Sequence, residues 1–234
     1  MKASAIIVAA GSGSRLGLAS PKAFVTVGGC RLLHYSLATI ARVPSISEAV
    51  VTVPEGMERE ARDVAREVRC DLPLKVTAGG VERQDSVRIA LSLTSAESDL
   101  VIVHDAARPF ATATLFESCL KAAAHSGGAI AAIPVADTLK RVDQGAIIST
   151  VARAGLYQAQ TPQAFRRPIL LAAHERALRD RIAATDDADL VEQMGERVEI
   201  VEASGWNLKI TTRADLELAE AIVAAGLVSR PVKK

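Results

Sequence analysis

The chain is poor in aromatic residues: Phe, Trp and Tyr make up 3% of its 234 positions. Its core must be filled by Ala, Val, Ile and Leu, a composition suited to helices layered on a parallel sheet. Cysteine is scarce as well. Cys30, Cys70 and Cys119 are odd in number, far apart, and form no Cys-x-x-Cys pair. That excludes an evident disulfide framework or zinc site and points to a reducing cytoplasm. Charge of one sign is also missing, since 28 basic residues against 27 acidic ones leave a net +1. This balance gives no electrostatic footprint for nucleic acid or an anionic membrane, so an anionic ligand must be met by local cations. No apolar run approaches the roughly 18 to 20 residues of a membrane span. The run from Ala3 to Ala10 is short for the apolar region of a secretion signal and reads as a first strand.

What is present is concentrated near the start. Ile6 to Lys22 reads IIVAAGSGSRLGLASPK. An apolar run ends at Ala9-Ala10, breaks into a loop with Gly11 and Gly13, and then presents Arg15 and Lys22. A strand that stops at a glycine-rich turn exposes backbone N–H groups that can surround phosphate. Two cations just beyond it suit a nucleoside triphosphate. A Walker A loop is excluded because Gly17 is followed by Leu18, and a dinucleotide fingerprint because Leu16 stands where its third glycine belongs. The remaining pattern, G-x-G-x-R-L…P-K, resembles one seen in nucleotidyltransferases that make sugar and alditol nucleotides.

Further along, apolar runs alternate with helical periodicity. Strands are predicted at Ala49–Val53, Leu74–Thr77, Leu100–Val103, Ala129–Val135 and Val198–Val201. Helices are predicted at Leu32–Ala41, Glu58–Val68, Ser86–Leu93, Thr114–Ala124, Pro168–Arg179, Ala188–Met194 and Ala214–Ala225. The alternation implies an α/β protein with a doubly wound, mostly parallel sheet, one domain over residues 1–234. Ligands on such sheets sit beyond the carboxyl ends of the strands, so Gly11, Gly80 and Asp105, each following a strand, are expected to share one cleft. The pattern fails between Asp137 and Gln163. There Thr138–Val142 and Ala146–Val151, joined by Asp143-Gln144-Gly145, read as a hairpin. A lone hairpin is marginal, so this arm, residues 137–155, needs a partner surface: another subunit or its own domain. The tail from Ser229 to Lys234 reads as frayed.

Three further segments carry chemistry. In His104-Asp105-Ala106-Ala107-Arg108-Pro109, a carboxylate ends a fully apolar strand. Asp105 is placed to hold Mg²⁺ against a polyphosphate, with Arg108 near for a second anion. The structural alternative is that Asp105 caps the next turn and pairs with Arg108. In Thr77-Ala78-Gly79-Gly80-Val81-Glu82-Arg83-Gln84-Asp85-Ser86 the glycines and the Ser86 hydroxyl could read a nucleobase edge; alternatively the segment is a plain turn with Glu82 or Asp85 at a helix N-terminus. Lys209, within Asn207-Leu208-Lys209-Ile210-Thr211, is predicted on a short strand, either solvated at the sheet edge or aimed at phosphate.

The combination AAGSGSRLG…PK, AGGVERQDSV, VHDAARPF, ADTLKR, QAQTPQAF, TDDADL and NLKITT, spread from about Ala5 to the final helix, resembles the 2-C-methyl-D-erythritol 4-phosphate cytidylyltransferases. The resemblance implies a Rossmann-like nucleotidyltransferase fold with a protruding β-hairpin arm. It implies transfer of a cytidylyl group from CTP to methylerythritol phosphate, with Mg²⁺, in non-mevalonate isoprenoid synthesis. By the same resemblance, Arg15, Lys22 and Lys209 stabilise the transition state, and Asp105 holds the metal. Ala9, Ala10, Gly11, Gly13, Gly80 and Ser86 bind CTP. Arg108, Thr138, Arg153, Thr161 and Thr185 contact the acceptor. The relatives form homodimers in which the arm crosses over, so Thr138 and Arg153 would serve the neighbour's site.

The chain departs from some relatives at Val81, where they carry Asp, and at Ser14, where they carry a second Arg; no acid adjoins Trp206 as a second metal ligand. A ribitol 5-phosphate cytidylyltransferase is the competing reading, and a non-catalytic nucleotide-sensing subunit a remote one. Intact Gly11, Lys22, Asp105 and Lys209 speak against the latter.

Overall fold

The computed structural model describes residues 1–11, 13, 17 and 20–231. Arg15 and Ser14 lie outside the described residues, as do the last three residues of the tail. Strand β1 (Ala3–Val8) is followed by a small ladder of β2 (Thr26–Val27) and β3 (Cys30–Arg31). Next come α1 (Leu32–Ile40), β4 (Ile46–Val53), α2 (Glu58–Glu67), β5 (Leu74–Ala78), α3 (Arg83–Ser92), β6 (Leu100–Asp105), α4 (Ala113–Ser126) and β7 (Gly128–Pro134). The hairpin strands β8 (Leu139–Asp143) and β9 (Ala146–Val151) then precede β10 (Tyr157–Arg166), α5 (Arg167–Asp180), α6 (Asp187–Glu192), β11 (Val198–Glu202) and α7 (Arg213–Ala224).

The central sheet has seven strands in the order β11-β7-β10-β6-β1-β4-β5. All neighbours are parallel except β10, which runs antiparallel to both β6 and β7. The period-2 alternation of a strand divides its side chains between two helical layers. Ile7 and Ile102 meet α1, α2 and α4 through Leu33, Leu37, Val64, Phe116 and Leu120. Ile6, Val101 and Val103 meet α3, α5 and α6 through Val87, Leu91, Leu170 and Val191. Because both faces are covered, β1 and β6 read as continuous apolar runs rather than alternating ones. A third cluster joins α7 to β2 and β3 around Tyr35, Phe110 and Ile210.

The predicted elements are present with ends shifted by a few residues, and the hairpin forms at the predicted place. Three expectations need correction. The chain from Tyr157 to Arg166 is the longest strand of the sheet and lies near its centre, where the sequence pattern failed. Its composition hides it: Gln158, Gln160, Thr161 and Gln163 are polar, and a proline ordinarily argues against an interior strand. Pro162 is accommodated because the β10–β7 register shifts between Ala159 and Gln163, while pairing with β6 begins only at Gln163. The segment around Lys209 is not a strand. Asn207 to Ile210 runs as a loop, anchored where the Ile210 N–H donates to the Ala107 carbonyl at 2.9 Å. The tail, expected to fray, is packed as far as Pro231, which is buried and whose carbonyl accepts from Cys30 Sγ at 3.7 Å.

Candidate active site

A cleft of about 300 Å³ opens beyond the carboxyl ends of β1, β5 and β6. Its walls come from three strand-end loops and from the Lys209 loop. Ala9, Ala10, Gly11, Gly13, Lys22, Gly80, Ser86, Asp105 and Lys209, all singled out from sequence, line it together. Some of the glycines are required sterically, although a Cβ at Gly11 would meet nothing within 4 Å. Gly13 has φ +71°, and a Cβ there would sit 2.9 Å from Cβ of Lys22. A Cβ on Gly79 would collide with Cβ of Ala10, so the β1 and β5 loops touch only because one of them has no side chain.

The α3 wall is built by its own first turn. Ser86 Oγ accepts from the Gly80 N–H at 3.1 Å and donates to the Glu82 carbonyl at 3.2 Å. The hydroxyl thus closes the glycine turn. Asp85 accepts from the Glu82 N–H at 3.4 Å, which is the helix-start role the sequence offered for it.

Asp105 is the electrostatic centre. Its Oδ1 accepts from Arg83 Nε at 3.0 Å, and its Oδ2 lies 2.7 Å from Lys209 Nζ. Burial alone would raise its pKa, but the Arg83 and Lys209 cations outweigh it and hold the carboxyl well below the usual range. The pairing with Arg108 considered from sequence does not form. Arg108 instead sends Nη1 to the Asn207 carbonyl at 2.7 Å and so fastens the base of the Lys209 loop. Asn207 Nδ2 adds bonds to Gln160 Oε1 at 2.8 Å and to the Thr161 carbonyl at 2.9 Å.

Beneath Asp105 lies a satisfied polar chain. The Asp105 N–H donates to Thr161 Oγ1 at 3.0 Å; the Thr161 hydroxyl is 3.1 Å from His104 Nδ1; and His104 Nε2 is 3.1 Å from the Arg108 carbonyl. A carbonyl only accepts, so a proton sits on Nε2, and burial keeps the imidazole neutral with Nδ1 accepting from the Thr161 hydroxyl. Burial, reinforced by the Arg108 and Arg83 cations and only partly offset by Asp105, pushes the His104 pKa down to about 4. A folded pKa below the unfolded value near 6.5 means the unfolded chain takes up the proton first. Stability is therefore full above pH 6.5 and declines toward pH 4, by up to about 3 kcal/mol. Urea unfolding at pH 7, 5.5 and 4.5 is expected to show this decline, and His104→Gln, which keeps a donor for the Arg108 carbonyl, to flatten it. An unchanged slope in the variant would exclude His104 as its source.

Sequence reasoning passed over Arg83, although it stood inside a quoted motif. Its guanidinium bridges two buried carboxylates: Nε to Asp105, and Nη1 to Asp187 Oδ2 at 2.8 Å. Asp187 Oδ1 in turn meets His174 Nε2 at 3.1 Å. The other acceptor candidates lie away from the cleft lining. Thr161 is buried beneath Asp105, Thr185 is exposed on the loop between α5 and α6, and Thr138 and Arg153 are exposed at the base of the hairpin.

A doubly wound sheet whose strand-end loops, with the Lys209 loop, bring glycines, Lys22, Lys209 and Asp105 to a common cleft defines a nucleotide-binding α/β protein of the nucleotidyltransferase type. The profile of the IspD family, 2-C-methyl-D-erythritol 4-phosphate cytidylyltransferase, matches residues 3–225. The chain belongs to that family. The cytidylyltransferase of Deinococcus radiodurans is 45% identical over 221 residues, covering 94% of this chain and 89% of that protein. The structure of the Thermus thermophilus cytidylyltransferase aligns with TM-score 0.80 at 38% identity, covering 96% of this chain and 100% of the other. The 4-diphosphocytidyl-2C-methyl-D-erythritol synthase of Anaerococcus prevotii aligns with TM-score 0.85 at 32% identity, covering 95% and 96%.

Proposed function

We propose that this protein transfers the cytidylyl group of CTP to 2-C-methyl-D-erythritol 4-phosphate and releases pyrophosphate, in non-mevalonate isoprenoid precursor synthesis. The observation that carries the reading is the meeting of Lys22, Lys209 and Asp105 on one glycine-walled cleft in a chain of this family. An acceptor phosphate oxygen attacks the α-phosphorus, the bond from the α-phosphorus to the bridging oxygen breaks, and pyrophosphate leaves with the electron pair. The protein supplies no covalent nucleophile; it orients the reactants and neutralises charge. Lys22 and Lys209 do the latter, with Arg15, and the glycine loops with Ala9, Ala10 and Ser86 hold the nucleotide.

Among the described residues no group of three or more His, Cys, Asp or Glu side chains is placed to bind a metal. That suits Mg²⁺ held largely by substrate: it commonly takes one or two carboxylates and fills its shell with phosphate oxygens and water. Asp105 fits as the single protein ligand, because the Lys209 side chain on its Oδ2 is 39% exposed and free to move to phosphate. Bound there, Mg²⁺ would supply charge neutralisation on the triphosphate.

Arg108 and Thr185 serve the acceptor, while Thr161 works through Asp105. Thr138 and Arg153 reach it from a second copy of the chain. The hairpin supports this reading, because Val142, Ile147 and Ile148 expose 54%, 66% and 61% of their surface with no cover in one chain. Ile147→Asp with Ile148→Asp is expected to yield a monomer in sedimentation and to lose most turnover. A fully active monomer would refute the exchanged arm. No helix among the described residues is long and apolar enough to cross a membrane, and the unpaired thiols suit a reducing cytoplasm. Pyrophosphate release measured with four nucleoside triphosphates against methylerythritol phosphate and ribitol 5-phosphate tests the whole assignment. Preference for ribitol phosphate would overturn it.

A further inference from the structure

The first turn of α3 does two things at once. One side, from Gly80 to Ser86, walls the nucleotide cleft. The other side grips the loop between α5 and α6. Gln84 Nε2 donates to the Ile182 carbonyl at 3.0 Å, and Gln84 Oε1 accepts from the Ala184 N–H at 3.1 Å. Next to it, Arg83 holds Asp187 at the start of α6. Gln163 Nε2 fastens the intervening Asp186 through Oδ2 at 2.8 Å. Thr185 stands between these anchors, with its own N–H donated to Asp189 Oδ2 at 3.1 Å.

We propose that Gln84 is a positioning residue for the acceptor site: its amide fixes the 182–184 backbone, and so Thr185, on the helical turn that walls the nucleotide cleft. A side-chain amide suits this task because it donates and accepts in one plane and can pair with a neighbouring carbonyl and N–H together. The inference rests on the reading of Thr185 as an acceptor contact.

The test is steady-state kinetics of Gln84→Met, which keeps the volume but removes both bonds, and of Gln84→Glu, which keeps an acceptor for the Ala184 N–H. Thr185→Ala is measured beside them. Gln84→Met is expected to raise the KM for methylerythritol phosphate about tenfold, with the effect on that constant exceeding those on kcat and on the KM for CTP. Gln84→Glu should fall between it and the parent. Hydrogen exchange at the Ala184 amide should quicken in the Met variant, independently of turnover. If Thr185→Ala raises the acceptor KM while Gln84→Met leaves it unchanged, the positioning role is refuted. If neither variant raises it, the loop is not an acceptor contact, and the inference falls with that reading.

Discussion

Lys209→Ala is expected to lower kcat by about 10² to 10³ while CTP still binds. The lysine sits on a loop rather than in the sheet, yet it is held firmly. Its neighbour Ile210 is fastened to Ala107, and the Asn207 carbonyl is gripped by Arg108 Nη1 at 2.7 Å. These bonds aim Nζ at the end of β6, where it lies 2.7 Å from Asp105 Oδ2. From that position the ammonium has only to turn from Asp105 to the phosphates as the substrates bind, and removing a cation that meets charge building in the transition state typically costs about 3 kcal/mol. Its share of ground-state nucleotide binding is smaller, because the glycine loops and Lys22 remain. Single-turnover kinetics together with calorimetric CTP binding separates the two effects. Near-normal turnover would remove Lys209 from the chemistry.

The largest expected effect on stability is that of Arg83→Met. Arg83 joins the side chains of Asp105 and Asp187, which are 9% and 1% exposed. With the cation gone, Asp187 retains His174 and Asp105 retains Lys209 as their ion-pair partners among the described residues. Breaking a buried pair from one side typically costs about 3 to 5 kcal/mol, because the remaining charge stays buried without compensation. The sign of the pH dependence is specific. In the parent both carboxyls are held below their ordinary range by the cation, so their stabilisation is present above about pH 4 and is lost as pH falls further. In the variant, burial acts with less opposition and raises both pKa values, so acidification neutralises the stranded charges. The stability gap between parent and variant should therefore narrow from pH 7 toward pH 4 in urea unfolding, and Asp187→Asn in the variant background should recover part of the loss. A gap below 1 kcal/mol at pH 7 would show that the bridge contributes little.

The two predictions differ in how far sequence alone leads to them. Lys209 was legible as an unusual charge in an apolar segment, although its setting was misread as a strand. Arg83 was not singled out, because an arginine in the first turn of a helix looks like any solvated residue. Its importance depends on Asp187, which lies 104 positions away. The central antiparallel strand was hidden for the same reason. Gln160, Thr161 and Gln163 are tolerable in the sheet because Asn207, His104 and Asp186 meet them there, and those partners come from other parts of the chain.

Local pattern by itself determined the layered α/β architecture, the exposed hairpin, and the glycine-walled cleft with Lys22 and Asp105 at it, while Lys209 was assigned to the phosphates only through the family resemblance. Those features follow from side-chain periodicity, turn chemistry and the rule that strand ends gather ligand-binding loops. Tertiary structure alone decided where the antiparallel strand inserts, that Asp105 pairs with Arg83 and Lys209 rather than Arg108, and that the turn at Arg83 and Gln84 holds the loop before α6. Each of these is a polar contact between distant segments. A buried polar group is stable only when its partner arrives, and the fold brings that partner.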